Sequence, residues 1–138
     1  MCPANPGYDV QNTGWNGVDM VPPAYGGPGQ TLTISLTAGL SVTGSIGGSV
    51  EGDAGVIFAT VKTSINASIS ASLTAAITYT GSAKVPGNAN YGEEHVGARS
   101  QNFNWQYGHY LGNCSWVVSR SGSGHEPFQL PFFWMTTG

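Results

Sequence analysis

Titratable side chains are scarce in this sequence, and their spacing does not predict a catalytic or metal site. The three histidines, His95, His109 and His125, are too far apart to bind one metal ion from a single element. Glu93 and Glu94 are adjacent, whereas glycosidases hold two carboxylates across a cleft. No nucleophile turn or phosphate-binding loop is recognisable. We therefore predict no catalytic residue, no metal ligand and no cofactor, and we do not expect an enzyme.

Nine of the fifteen aromatic residues lie beyond residue 100. Aromatic side chains exposed on a β-scaffold can bind a sugar by stacking, and the candidates are Trp105, Tyr107 and Tyr110. Packing into the core is the alternative at each of these positions, because one large aromatic side chain buries about 150–250 Å². Residues 81–138 are therefore expected to form a compact, aromatic-rich body.

Composition and charge restrict the class of protein. Only 8% of the 138 residues are charged, against about 25% in typical globular proteins, so Ser, Thr, Asn and Gly must cover much of the surface. This composition is typical of secreted β-proteins and of protomers that bury surface in an assembly. The four basic residues are scattered and the net charge is −3, so nucleic acid is not an expected partner. No run of about 18 apolar residues predicts a transmembrane helix.

The two cysteines, Cys2 and Cys114, lie near opposite ends of the chain. In an exported protein they would pair, and the bond would contribute about 4–5 kcal/mol in the chain-entropy model. The alternatives are a lipidated Cys2 in a bacterial lipoprotein and two free thiols in a cytosolic protein. We interpret Met1 as standing in place of a removed export signal, and we expect a secreted, extracellular protein.

The most informative pattern is an alternation of apolar residues with hydroxyl residues and glycine over residues 31–80. Apolar residues occupy even positions in the first run and odd positions after Ile57, with a turn signal at Glu51-Gly52-Asp53-Ala54-Gly55 between the runs. An alternation with a period of two residues places successive side chains on opposite faces of a strand. The runs predict one very long β-hairpin, whose apolar, membrane-facing side would comprise Leu32, Ile34, Leu36, Leu40, Val42, Ile46, Ile57, Val61, Ile65, Ile69, Leu73 and Ile77.

A helix is the alternative for the second run, because Ile65, Ile69, Leu73 and Ile77 recur every four residues. Hydroxyl and β-branched residues are poor helix formers, however, and favour strands. We therefore predict two strands of about 20 residues, each roughly 65 Å long. A tilted strand needs only about 9–11 residues to cross a bilayer, and the same alternation is found in the walls of membrane barrels.

The Ser/Thr-rich hairpin resembles that of the aerolysin-like β-pore-forming proteins. The resemblance covers Thr31 to Thr80 and the continuing segment Tyr79-Thr80-Gly81-Ser82-Ala83-Lys84-Val85-Pro86. The chain is also similar to a group of small secreted actinobacterial proteins in which such runs precede an aromatic, Cys-containing region. The first resemblance implies an elongated domain of long, twisted strands with an insertion hairpin.

Together these features predict one all-β domain: an elongated antiparallel sheet with an extended N-terminal arm (1–30), the long hairpin (31–80) and the aromatic-rich body (81–138). The expected function is pore formation, in which copies of the chain form a homo-oligomeric ring and their hairpins form a transmembrane β-barrel in a lipid membrane. One alternative is a non-enzymatic structural or adaptor subunit that binds a protein partner. Another is a sugar-binding β-module.

Overall fold

The computed structural model describes residues 7–48 and 53–138. Strands account for 60% and a helix for 9% of the residues, which confirms the predicted all-β class with antiparallel sheets. The elements in chain order are β1 (Gly7–Asp19), β2 (Ala24–Gly26), β3 (Thr31–Leu36), β4 (Ser41–Thr43), β5 (Ser45–Ile46), α1 (Ala54–Ser64), β6 (Ser72–Thr74), β7 (Tyr79–Lys84), β8 (Gly92–Tyr110) and β9 (Trp116–Thr137).

The main sheet has five strands, of which β1, β8 and β9 are long. Its order is β1-β8-β9-β5, with β2 pairing along the part of β8 that β1 leaves free. Every pair in this sheet is antiparallel. The order is a linear path, so the sheet is open rather than a closed barrel.

The two arms of the predicted hairpin do pair, in two ladders that share one register and are separated by a turn at residues 37–40. Thr31 pairs with Lys84 at the start of β3 and β7. Ten residues further along, Ser41 pairs with Thr74, which is ten residues earlier, in β4 and β6. Gly44 then donates its backbone N–H to the carbonyl of Ala71 in the same register. We call this ladder, residues 31–44 with 71–84, the hairpin base.

The hairpin does not continue to the predicted turn, and this part of the prediction was wrong. Asp53, Ala54 and Gly55 stand at the start of α1, while Glu51 and Gly52 lie outside the described residues. Residues 57–64, predicted as strand, are helical. The helix alternative for the second run is therefore found only in the first part of that run. Ile65, Ile69, Leu73 and Ile77, on whose spacing it rested, lie outside α1.

Two buried clusters fill the spaces beneath these elements. The first lies between α1 and the sheet and contains Ile57, Val61, Ile69, Phe103 and Trp105. The second lies beneath the hairpin base and contains Ile34, Leu36, Ala75 and Val96. The core is therefore divided between the base of the hairpin and the segment that joins its arms.

Candidate functional site

The segment that joins the two arms is the most unusual part of the molecule. We call its described residues, 45–48 and 53–70, the tip segment. α1 packs its buried side, Ile57 and Val61, on Phe103 and Trp105 of β8. Burial of each such side chain contributes about 1.5–3 kcal/mol. The tip segment is therefore held on the sheet by apolar contacts.

The sequence of α1 is poorly suited to a helix. Five of its eleven residues are β-branched, a class with lower helix propensity than Ala or Leu. Thr60 and Thr63 each donate a side-chain hydrogen bond of 2.8 Å to the carbonyl four residues earlier, an arrangement that slightly destabilises helices. Asp53 at the N-cap makes no side-chain capping bond. Tertiary contacts, rather than local preference, keep this segment helical.

The carboxylate of Asp53 is used in a polar contact between α1 and the sheet. Arg120 of β9 lies 3.0 Å from Asp53 Oδ2 and 3.4 Å from the hydroxyl of Tyr8. The hydrogen bond from Tyr8 is the main cause that lowers the pKa of Asp53. The pKa of Tyr8 is raised, first by burial and then by this carboxylate. Tyr8, Asp53 and Arg120 thus connect the first turn of α1 to β1 and β9, and we call them the latch.

A buried carboxyl lies beneath the other end of the tip segment. Glu126 of β9 is 4% exposed, and its Oε2 atom has no hydrogen-bond partner among the described residues. The carboxyl packs so closely on Gly44 that a Cβ at that position would overlap it. Burial raises the pKa of Glu126 to about 7. A cavity of about 340 Å³ lies beside it and is bordered by Phe58 and Ala71.

The predicted membrane-facing residues are distributed over both parts of the hairpin. Those that are buried in the protein's own body are Leu32, Ile34, Leu36, Ile57, Val61 and Ile69. Those that are half-buried are Val42, Ile46, Ile65 and Leu73. Leu40 and Ile77 are exposed, at 37% and 60%. In this state most of the apolar face is covered by the sheet.

The predicted binding aromatics occupy three different environments. Trp105 is buried, at 1% exposure, and donates its indole N–H to the carbonyl of Gly47. Tyr107 is half-buried, and the guanidinium of Arg120 lies 4.5 Å from the centre of its ring. Tyr110 is half-buried and packs against Trp116. Tyr110 and Trp116 are paired where the end of β8 meets the start of β9.

Sequence reasoning missed the latch and the buried carboxyl. Tyr8, Arg120 and Glu126 are far from residues 31–80 in the chain, and no spacing rule links an edge-strand tyrosine to a helix N-terminus. Only the scarcity of charge between Met20 and Lys62, where Glu51 and Asp53 are the two charged residues, could have indicated that Asp53 needs a partner. Cys2 lies outside the described residues, so the disulfide with Cys114 stays a prediction.

Over residues 7–48 and 53–138, no group of three or more His, Cys, Asp and Glu side chains is placed to hold a metal ion.

The only helix found in the described ranges is too short to cross a membrane.

No protein-family model matches the sequence, and no match was found among the curated proteins.

Proposed function

We propose that this protein inserts the tip segment into a lipid membrane as a continuation of the hairpin base, and that several copies together form a pore. The observation that supports this proposal is the shared register of the two ladders of the base. A ladder that is already correctly aligned can lengthen by adding pairs, which requires no change in the base itself.

The apolar residues of the tip segment match across this register. If the ladder lengthens, Ile46 comes opposite Ile69, and Ala54 comes opposite Val61. The pairs keep apolar residues on one face because even positions in the first run meet odd positions in the second. The two-residue turn falls at Ile57-Phe58, so the leading end of the hairpin is apolar.

The polar residues match equally well. Ser45 comes opposite Ser70, and Asp53 comes opposite Lys62, which places opposite charges across the ladder. In the structure described above, where α1 packs on the sheet, Asp53 contacts Arg120 instead. The extended form therefore offers the carboxylate a replacement partner once the latch has opened. The hydroxyl-rich face of the extended hairpin would line water, and the apolar face of the hairpin would contact lipid.

The dimensions suit a bilayer. Residues 45–57 in extended form would reach roughly 40 Å at about 3.3 Å per residue. The hydrocarbon core of a bilayer is about 30 Å thick. One hairpin supplies only two strands, so a closed wall requires several copies.

The charge pair Asp53–Lys62 gives the sharpest experiment, with dye release from lipid vesicles as the measurement. Lys62→Asp should abolish release, because two carboxylates then meet across the extended ladder. The fold with α1 packed on the sheet should tolerate this change, since Lys62 is exposed and its contacts are a 3.4 Å bond to the carbonyl of Ile69 and an approach of 5.9 Å to the ring centre of Phe58. The double variant Asp53→Lys with Lys62→Asp restores opposite charges and should restore release.

Lys84→Asp is the matched control, because Lys84 is an exposed lysine in the hairpin base. It should leave dye release unchanged. Equal release by the Lys62→Asp protein and the wild-type protein would contradict the proposed register. If the folded wild-type protein released no dye at any lipid composition or pH tried, this result would contradict membrane insertion.

The second candidate function is that of a structural or adaptor subunit. Leu36 and Ile57 are completely buried in the protein's own body, as they would be in a permanently soluble sheet. The edge strand β1 offers thirteen residues along which another chain could pair. Measurement of the particle mass in buffer and in detergent distinguishes the two functions, because a pore former should form large rings in detergent whereas an adaptor should keep its mass.

A further inference from the structure

A polar groove runs along the face of the main sheet that is opposite to α1. The side chains of β8 alternate here: Phe103 and Trp105 point towards α1, whereas Asn102, Asn104 and Gln106 point away. Two adjoining depressions of about 480 and 280 Å³ share Asn104 and Ser123 as lining residues. The outward side chains that line them are Gln11, Thr13, Ser45, Asn102, Asn104, Gln106, Ser121, Ser123 and His125.

Polar groups without charge predominate in the groove. Phe103 and Trp105 also border it, and the other side chains are amides, hydroxyls and one imidazole. Among the described residues neither depression is lined by Asp, Glu, Lys or Arg, so a charged ligand would find no counter-charge from them. A ligand with many hydroxyl groups and no charge would find both donors and acceptors along its length.

Some of the amides are already held in position and others are free to bind. Asn102 donates a 2.9 Å hydrogen bond to Asn16 of β1, and Gln106 accepts one of 3.2 Å from the indole of Trp116. Over the described residues, the side chains of Asn104 and Ser123 have no hydrogen-bond partner, and both are exposed. The centre of the groove therefore has unused hydrogen-bonding capacity between supported neighbours.

An aromatic pair closes one end of the groove. Trp116, which bonds Gln106, packs on Tyr110 with ring centres 4.9 Å apart. Its indole also lies over Gly108, where a Cβ would approach the ring to 2.9 Å. Trp116 is half-buried, so part of its apolar surface remains available to the C–H face of a sugar ring. A row of amides and hydroxyls that ends at such a pair suits an oligosaccharide.

We infer that this groove binds an uncharged oligosaccharide, with Asn104 and Ser123 as central hydrogen-bonding residues and Trp116 with Tyr110 at one end. This site would attach the protein to a glycan-bearing surface, and it does not depend on the proposed membrane insertion. The glycan could belong to a glycolipid or to a free polysaccharide, since the chemistry of recognition is the same.

Binding can be followed by tryptophan fluorescence and by the side-chain amide signals in NMR spectra. The neutral probes are maltohexaose, cellohexaose, chitohexaose and galactosyl oligosaccharides, and the charged probes are sialyllactose and a heparin oligosaccharide. We expect a neutral probe to bind and the charged probes not to bind. Asn104→Ala and Ser123→Ala should each weaken binding about three- to tenfold, the loss expected for one hydrogen bond.

Ser119→Ala is the matched control, because Ser119 is another exposed serine of β9 and does not line the groove. It should bind as the wild-type protein does. Binding to vesicles that contain galactosylceramide, compared with binding to the free oligosaccharides, identifies the source of the glycan. The inference is overturned if none of the neutral probes binds at millimolar concentration, or if Asn104→Ala and Ser119→Ala bind equally well. Lys62→Asp should keep full glycan binding, which separates this test from that of insertion.

Discussion

In the hairpin base, Thr33 and Ser82 face each other across a ladder with their hydroxyl oxygens 2.9 Å apart. In the tip segment, Thr60 turns its hydroxyl back onto its own helix. Both regions have the same alternation of apolar and hydroxyl residues, yet one is strand and the other is largely helix. The alternation therefore allows a strand without requiring one.

The neighbours of each region account for the difference. The base has a partner arm in register and a buried cluster beneath it. In the tip segment Ser45 and Ile46 pair with β9 instead of with the other arm, and Gly48 has a φ of 101°. The apolar surface of Phe103 and Trp105 then offers a place where one face of a helix can be buried. The helix exists because this surface is available.

The largest expected effect is the loss of that surface. Phe103→Ala should lower the free energy of unfolding by about 3–5 kcal/mol, because it removes a fully buried ring and leaves a cavity. Hydrogen exchange should become fast in α1 while the hairpin base stays protected. Equal loss of protection in both regions would mean that the tip segment does not depend on its own docking surface.

A smaller effect is expected from pH. Because burial raises the pKa of Glu126 from 4.5 to about 7, the folded protein holds this proton more tightly than the unfolded chain. The contribution of Glu126 to stability should therefore be greatest below pH about 4.5 and should fall by up to about 3 kcal/mol as the pH rises to about 7. Glu126→Gln should remove most of this dependence, as thermal unfolding at several pH values would reveal.

Asp9→Asn, on the exposed edge strand β1, is the control and should keep the pH dependence of the wild-type protein. If Glu126→Gln behaved as Asp9→Asn does, the buried carboxyl would not be the group responsible. Because Glu126 packs on Gly44, its ionisation should loosen the contact between β9 and the hairpin near the tip segment first.

The smallest effects should have opposite signs in the two regions. Thr60→Ala should stabilise α1 by about 0.5 kcal/mol, since Ala is the better helix former. Thr33→Ala should destabilise the hairpin base by about 0.5 kcal/mol, since it removes a cross-strand hydroxyl contact. Denaturant unfolding of the two variants measures both changes, and a shared sign would show that the two regions do not differ in local preference.

The sequence by itself determined the class of fold and the faces of the hairpin. Apolar residues occupy even positions in the first arm and odd positions in the second. Only registers that pair an even-numbered residue with an odd-numbered one therefore keep the apolar side chains of both arms on the same face. The observed pairing of Leu36 with Tyr79 obeys this restriction, because a slip by one residue would place hydroxyl groups in the core. The aromatic-rich C-terminal region likewise supplies buried side chains, among them Trp105.

Only the tertiary structure decided where the ladder ends and what the tip segment becomes. Ile57, Val61 and Ile65 satisfy a period of two and a spacing of four at once, so their pattern is compatible with a strand and with a helix. The choice depends on which surface can bury them, and that surface comes from β1 and β8. The latch and the carboxyl of Glu126 depend in the same way on residues brought together from distant parts of the chain. Long-range contacts of this kind leave no periodic signal in a sequence, because they arise from the packing of one element on another.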